Sequence, residues 1–163
     1  MDTRQALREN MAISKMVVDM YLGDLTDADL LVRPAPGCNH IAWQLGHLIE
    51  SENEMTEAVA PGSMPPLPKG FKEKHKKETA KLDDAAAFHK KAEYVKLAAE
   101  QREAALAALD KLSDADLGKP APESMRAYAP TVCAIFAMHG AHWLMHAGQW
   151  AVVRRKLGRP PLF

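Results

Sequence analysis

The sequence predicts an all-α fold, a four-helix bundle that fills one domain over residues 1–163. Three observations carry that reading. Apolar residues recur at three-and-four spacing through four long segments. No stretch alternates with the period of two that a half-buried strand requires. Connections rich in Pro and Asp separate the segments. A chain of 163 residues can bury about 70% of the surface its unfolded form exposes, so a single core suffices.

The first helix is expected over residues 3–22. Asp2 is its N-cap and Gln5 stands three residues on, a capping-box pattern that satisfies free N–H groups of the first turn. Leu7, Met11, Val18 and Tyr21 mark its buried face. The second helix should begin near Asn39, a good cap, and run to about Val59, where Pro61-Gly62 ends it. Ile41, Leu45, Leu48 and Met55 form one stripe, with Trp43 and His47 beside it.

The third helix should start at Asp83 or Asp84 and continue to Leu112. Its apolar positions are Phe88, Ala92, Val95, Ala99, Leu106 and Leu109, with Lys, Glu and Arg on the other side. The fourth is expected from Pro130 or Thr131 to Leu157. Pro130 suits the first turn, Arg154, Arg155 and Lys156 suit the negative C-terminal end, and Gly158 with Pro160-Pro161 stops it.

The connections repeat a motif. Leu25-Thr26-Asp27-Ala28-Asp29-Leu30 leads to Arg33-Pro34-Ala35-Pro36, and Leu112-Ser113-Asp114-Ala115-Asp116-Leu117 leads to Lys119-Pro120-Ala121-Pro122. In both, Thr or Ser opens an Asp-rich turn, a leucine can tuck back onto the bundle, and prolines extend the chain. The molecule therefore reads as two helix–linker–helix units. The connection after the second helix holds Pro61, Pro65, Pro66 and Pro68 and is long enough to cross the bundle, as a spacer or as a lid over a site. Its basic run, residues 72–77, reads as solvated surface.

Composition excludes several functions. Twenty-one basic residues balance 21 acidic ones, so the chain lacks the basic face of a nucleic-acid binder. Two cysteines do not make a disulfide framework, and Met1-Asp2-Thr3-Arg4-Gln5 lacks the apolar core of a secretion signal; a cytoplasmic protein is expected. Residues 130–153 contain no charge and are long enough to cross a bilayer. The run nevertheless carries His139, His142, His146 and Gln149, polar groups that a single span would leave unpaired. No membrane span is expected, because a helix apolar on nearly all sides also suits a bundle centre.

The histidines give the sharpest chemical clue. On a helix, His142 and His146 lie about 40° apart in angle and about 6 Å apart along the axis, so both imidazoles can reach one metal ion. A third ligand must come from elsewhere. His47, mid-helix beside Trp43, Gly46 and Leu48, is the best candidate. His139 shares the face, and His139 with His142 could chelate at a spacing of three. Core histidines satisfied by hydrogen bonds are the competing explanation.

The motifs resemble those of a known family. Ala42-Trp43-Gln44-Leu45-Gly46-His47-Leu48 looks like the second-helix signature of the DinB-like (YfiT-type) proteins. His142-Trp143-Leu144-Met145-His146-Ala147-Gly148-Gln149, with Arg154-Arg155-Lys156-Leu157-Gly158 and Pro160-Pro161 after it, is similar to that family's closing helix. The turn at Arg33-Pro34 and Pro36-Gly37 is also similar. The resemblance covers nearly the whole chain and implies up-down-down-up topology. It implies one divalent metal ion, nickel or zinc most often, held by His47, His142 and His146, with no part for His139. It also implies a thiol S-transferase acting on a small electrophile, with a metal-dependent hydrolase or a non-catalytic metal-binding, stress-associated bundle as alternatives. The partners expected are a small-molecule substrate, such as a low-molecular-weight thiol, and a second copy in a homodimer.

Other residues rank below the triad. Glu50 and Glu54 share a face with His47 and could serve as general base or as partner to a ligand histidine, or simply be solvated. Arg33 and Arg154 could hold an anion, although dipole pairing explains Arg154. Cys38 and Cys133 stand about 13 Å along their helices from the nearest ligand, too far to join it. They are expected as free thiols at opposite ends of the bundle. His40, His75 and His89 read as cap-region or surface residues.

Overall fold

A computed structural model describes residues 2–163. Its helices are α1 (Thr3–Leu22), α2 (Ile41–Val59), α3 (Phe71–His75), α4 (Lys91–Lys111), α5 (Asp114–Leu117) and α6 (Val132–Lys156). Short 3-10 turns lie at Asp29–Leu31, Lys77–Lys81, Ala85–Ala87 and Glu123–Met125. The only β-type pairing among the described residues is an isolated bridge between Pro120 and Thr131. The all-α bundle of four long helices is therefore as expected.

Contacts between the long helices set their directions. Asn10 lies against Gly140, and the Tyr21 carbonyl accepts from Arg154, so α1 and α6 run parallel. Gln44 meets Trp150 while Thr56 meets His139, so α2 and α6 are antiparallel. Arg102 reaches Met11 and Arg8 pairs with Asp110, so α4 opposes α1. The order is up-down-down-up. The long connection makes this possible by carrying the chain back, so that α4 starts at the end where α2 started.

A buried polar network ties all four long helices together. Arg102 of α4 forms a bidentate pair with Glu52 of α2, with Nε–Oε1 at 2.6 Å and Nη2–Oε2 at 2.9 Å. The same guanidinium donates to the Met11 carbonyl and the Ser14 hydroxyl of α1, and the Trp143 indole of α6 donates to Glu52 Oε2. Every member is satisfied, the condition for burying such a pair without a large penalty. The network also fixes the rotation of α2 and α6 about their axes, which decides where the histidines point.

Helix ends follow the sequence closely except in three places. Asp2 caps α1 by accepting from Gln5 N–H, but the Gln5 side chain turns to Glu9 instead of reaching back. Thr131 caps α6, and Gly158, at φ 70°, turns the chain left-handed so that Arg159 N–H reaches the Arg154 carbonyl. The cap of α2 is His40 and not Asn39; its Nδ1 accepts from Trp43 N–H. The third long helix starts at Lys91, not at Asp83 or Asp84. Asp84 does cap a turn, accepting from Ala86 N–H, but only the short turn Ala85–Ala87 follows. The chain then extends to bury Phe88 and restarts where Glu93 accepts from Lys90 N–H.

The buried stripe of α4 is also rotated from expectation. Tyr94, Gln101, Arg102, Ala105, Ala108 and Leu109 face inward, while Ala92, Val95 and Ala99 are exposed. Apolar counting misses this because two inward positions are polar and their partners lie on other helices.

Both copies of the repeated turn form reciprocal caps. Thr26 and Asp29 exchange side-chain and backbone bonds, as do Ser113 and Asp116. Leu30 and Leu117 tuck into the core as expected. The long connection is more than a spacer. Most of the basic run is surface as expected, with Lys72, Glu73, Lys76 and Lys77 exposed, but its start folds into α3, which buries Phe71 and His75 and lies against α2 at Gly46. A Cβ at Gly46 would stand 2.0 Å from the His75 ring, so glycine is what allows the approach.

Candidate metal centre

Where α2 and α6 pass each other, His47, His142 and His146 come together. One ligand-capable atom from each lies within 4.8 Å of the others. His47 Nε2 and His142 Nε2 are 3.3 Å apart. Nitrogens bound at about 2.0–2.1 Å to a tetrahedral zinc are about 3.3–3.4 Å apart, so this edge already has the span of a coordination site. The three ring centroids are separated by 5.0, 5.5 and 5.0 Å.

Neighbouring side chains orient the rings. The amide oxygen of buried Gln44 accepts from both His146 Nδ1–H (3.1 Å) and Trp150 Nε1–H (2.7 Å). Its amide nitrogen donates to the Asn39 carbonyl and to Gln149 Oε1. Those four bonds set the Gln44 amide one way round, which places the His146 proton on Nδ1 and leaves Nε2 with its lone pair. Trp43 stacks on the His47 ring at 5.2 Å with planes 9° apart, and its own N–H donates to the Lys76 carbonyl of the connection.

Electrostatics keep the rings neutral. Burial pushes His142 and His146 down to about 4, and neighbouring histidines add to the effect. Burial lowers His47 as well, opposed by the Glu54 carboxylate. Neutral imidazole is the form that donates to metals. The donor set thus fits a divalent cation. Imidazole serves zinc, nickel, iron(II) and copper alike, so it leaves the ion's identity open.

The remaining candidates do not join this cluster. His139 is buried and directs Nε2 to the Thr56 hydroxyl at 2.9 Å. Glu54 is exposed and pairs with Lys72. Glu50 is half-buried, and burial together with Glu54 raises its carboxyl. Arg33 ties Cys38, Ala80, Leu82 and Asp83 together, which leaves it no role as an anion site. Arg154 pairs with Asp24. Cys38 and Cys133 are free thiols near opposite ends of the antiparallel α2–α6 pair.

The expectation of a cap or surface role fails for His75. It is buried between Phe71 and Tyr94: Nδ1–H donates to the Phe71 carbonyl at 2.8 Å, and Nε2 accepts from the Tyr94 hydroxyl at 2.6 Å. Its neighbours are supplied by a fold that brings α3 onto α2, which local spacing cannot show. Sequence reading also passed over Gln44 and Glu52 as functional positions. Glu52 sits in the apolar stripe Ile41, Leu45, Leu48, Met55, and Gln44 one turn before Leu48; a polar residue in such a place asks for a buried partner.

Together these features define a helical-bundle protein with a three-histidine cluster that could hold a metal ion. The chain belongs to the DinB superfamily, whose model matches residues 13–150. A crystal structure described as the conserved protein of locus from Enterococcus faecalis is similar in fold. It shares 19% identity with a TM-score of 0.73, over 98% of this chain and 99% of that one. No curated protein matches the sequence. No helix among the described residues is long and apolar enough to cross a membrane.

Proposed function

We propose that this DinB-superfamily protein is a divalent-metal-dependent thiol S-transferase, using nickel or zinc, that joins a low-molecular-weight thiol to a small electrophile. The observation that supports it is the convergence of three neutral imidazoles from two helices, with coordination positions left over for a substrate. His47, His142 and His146 are the metal ligands. A divalent ion bound there supplies Lewis acidity that favours a thiolate near neutral pH. No protein nucleophile is then required, and the free cysteines stand aside. Gln44 holds His146 in the tautomer that donates through Nε2. Glu50, one turn beyond His47 and with its carboxyl raised by burial, is suited to receive the proton the thiol loses.

Two measurements test this reading. Elemental analysis of protein prepared without a histidine tag should find a divalent metal. Metal-loaded protein should then transfer a thiol to a chromogenic aryl halide, forming the S–C bond and releasing halide and a proton. Bound metal without turnover on any thiol would leave a metal-binding bundle, and hydrolysis of an ester in place of transfer would make it a metal-dependent hydrolase.

A further inference from the structure

An open groove runs between α1 and α4. The two helices are tied at both ends: Arg8 pairs with Asp110 at one, and Lys91 Nζ donates to the Leu22 and Leu25 carbonyls at the other. Between these ties α4 presents Ala98 and Ala99, side chains too short to close the space. The gap holds about 480 Å³, counted out to its solvent side. Val95 and Ala99 belong to the apolar stripe that the sequence assigns to the core. The rotation of α4 brings them to this groove instead, with Val95 42% exposed. Val18 forms the opposite wall, and buried Leu45 and Trp143 form the floor. Leu45 stands about 200° around α2 from His47, so the groove and the histidine cluster lie on opposite sides of that helix.

One polar group lines this apolar space from within. The Arg102 side chain is only 9% exposed and borders the groove at the end nearer Lys15. A guanidinium has five N–H donors. Arg102 uses four of them, two on Glu52 and one each on the Met11 carbonyl and the Ser14 hydroxyl. The fifth, on Nη2, has no partner in the chain, and a buried donor calls for one. Charges around the groove cancel, because Lys15 pairs with Asp19 at the mouth and Glu52 neutralises Arg102 from behind. No net charge is left to hold an ion, and drying one between apolar walls is costly.

We infer that the α1–α4 groove is a binding site for a small, neutral, apolar molecule carrying one carbonyl oxygen. Its length is about 10 Å, the rise of α1 from Lys15 to Leu22. The apolar body of the guest supplies the contacts that Ala98 and Ala99 are too small to make, against Val18 and Val95 and over the Trp143 ring. Its oxygen accepts from Arg102 Nη2, the one donor that the buried network leaves over. A few polar contacts within mostly apolar walls is the usual make-up of a small-molecule site. None of this depends on a metal at the histidines or on the proposed transferase activity.

NMR titration of the isotope-labelled full chain with methyl hexyl ketone tests the site. The amides of Val95, Ala98 and Ala99 and the Trp143 indole N–H should shift together and saturate, with a dissociation constant of about 1 mM or tighter. Octanoate and octylamine are of similar length but charged, and should bind at least about 10-fold more weakly. Heptyl chloride lacks the carbonyl acceptor and should lose about 10-fold as well. Ala98→Leu fills the groove from α4 and should abolish the shifts without lowering the melting temperature. Val95→Glu, at an exposed position, sets a carboxylate on the wall and should weaken binding by about 10-fold or more. No saturable shift with the ketone, or undiminished binding in both variants, overturns the site. Charged probes that bind as tightly as the ketone overturn the neutral guest, and heptyl chloride doing so overturns the contact to Arg102.

Discussion

His47, His142 and His146 turn ring nitrogens toward one another across α2 and α6, whereas His75 commits both of its nitrogens to Phe71 and Tyr94. Both groups belong to the same bundle, with His146 and His75 buried and His47 and His142 half-buried, and burial depresses protonation in both. They differ in where the lone pairs lead. In the first group a glutamine occupies one nitrogen of His146 and leaves the other facing the cluster; in the second a carbonyl and a phenol occupy the ring completely. Burial and histidine content are therefore poor guides to a metal site, and unclaimed, convergent lone pairs are a better one.

The largest expected effect separates the two groups directly. His142→Ala should remove nearly all bound metal, while His75→Ala should keep it and lose about 1–3 kcal/mol of stability from the stranded Tyr94 hydroxyl. Elemental analysis and denaturant titration read the two quantities, and equal metal loss in both variants would erase the distinction. Next in size is Gln44→Leu, expected to weaken metal binding by about 10–100-fold by freeing the His146 tautomer. Competition against a chelator measures it; unchanged affinity would remove Gln44 from the site.

Gly46→Ala acts on the border between the groups. Its new methyl must displace the His75 ring and loosen α3, at a cost of about 1–3 kcal/mol in denaturant melts. A variant as stable as the parent would mean that α3 packs elsewhere. The smallest effect is a graded one with pH. His75, His139, His142 and His146 sit at about 4 against an ordinary 6.5, so the folded chain binds fewer protons than the unfolded one. In metal-free protein this contribution to stability is whole above about pH 6.5 and lost progressively toward pH 4. Melting temperatures across that range should fall, less steeply in His75→Ala; a flat profile would show that these rings are not held neutral.

The long helices were legible because their apolar stripes, caps and stops are local. Asp2, Thr131 and Gly158 each act within four or five residues of themselves. The pair His142 and His146 was legible for the same reason, since one turn of helix makes them neighbours. The start of α4 was not, because what draws Phe88 and Tyr94 into the core is α3 and α2 and not their own sequence neighbours.

Sequence by itself determined the helices, the repeated capped turns and a helix face able to chelate. Tertiary structure alone decided the rest: that His47 meets that face, that His75 is consumed by Tyr94, and that Glu52 and Arg102 hold the rotation of the helices. The physical reason is range. Periodicity and capping act over a few residues, while a ring nitrogen becomes a ligand or a structural strut according to which atom, many residues away, reaches it first.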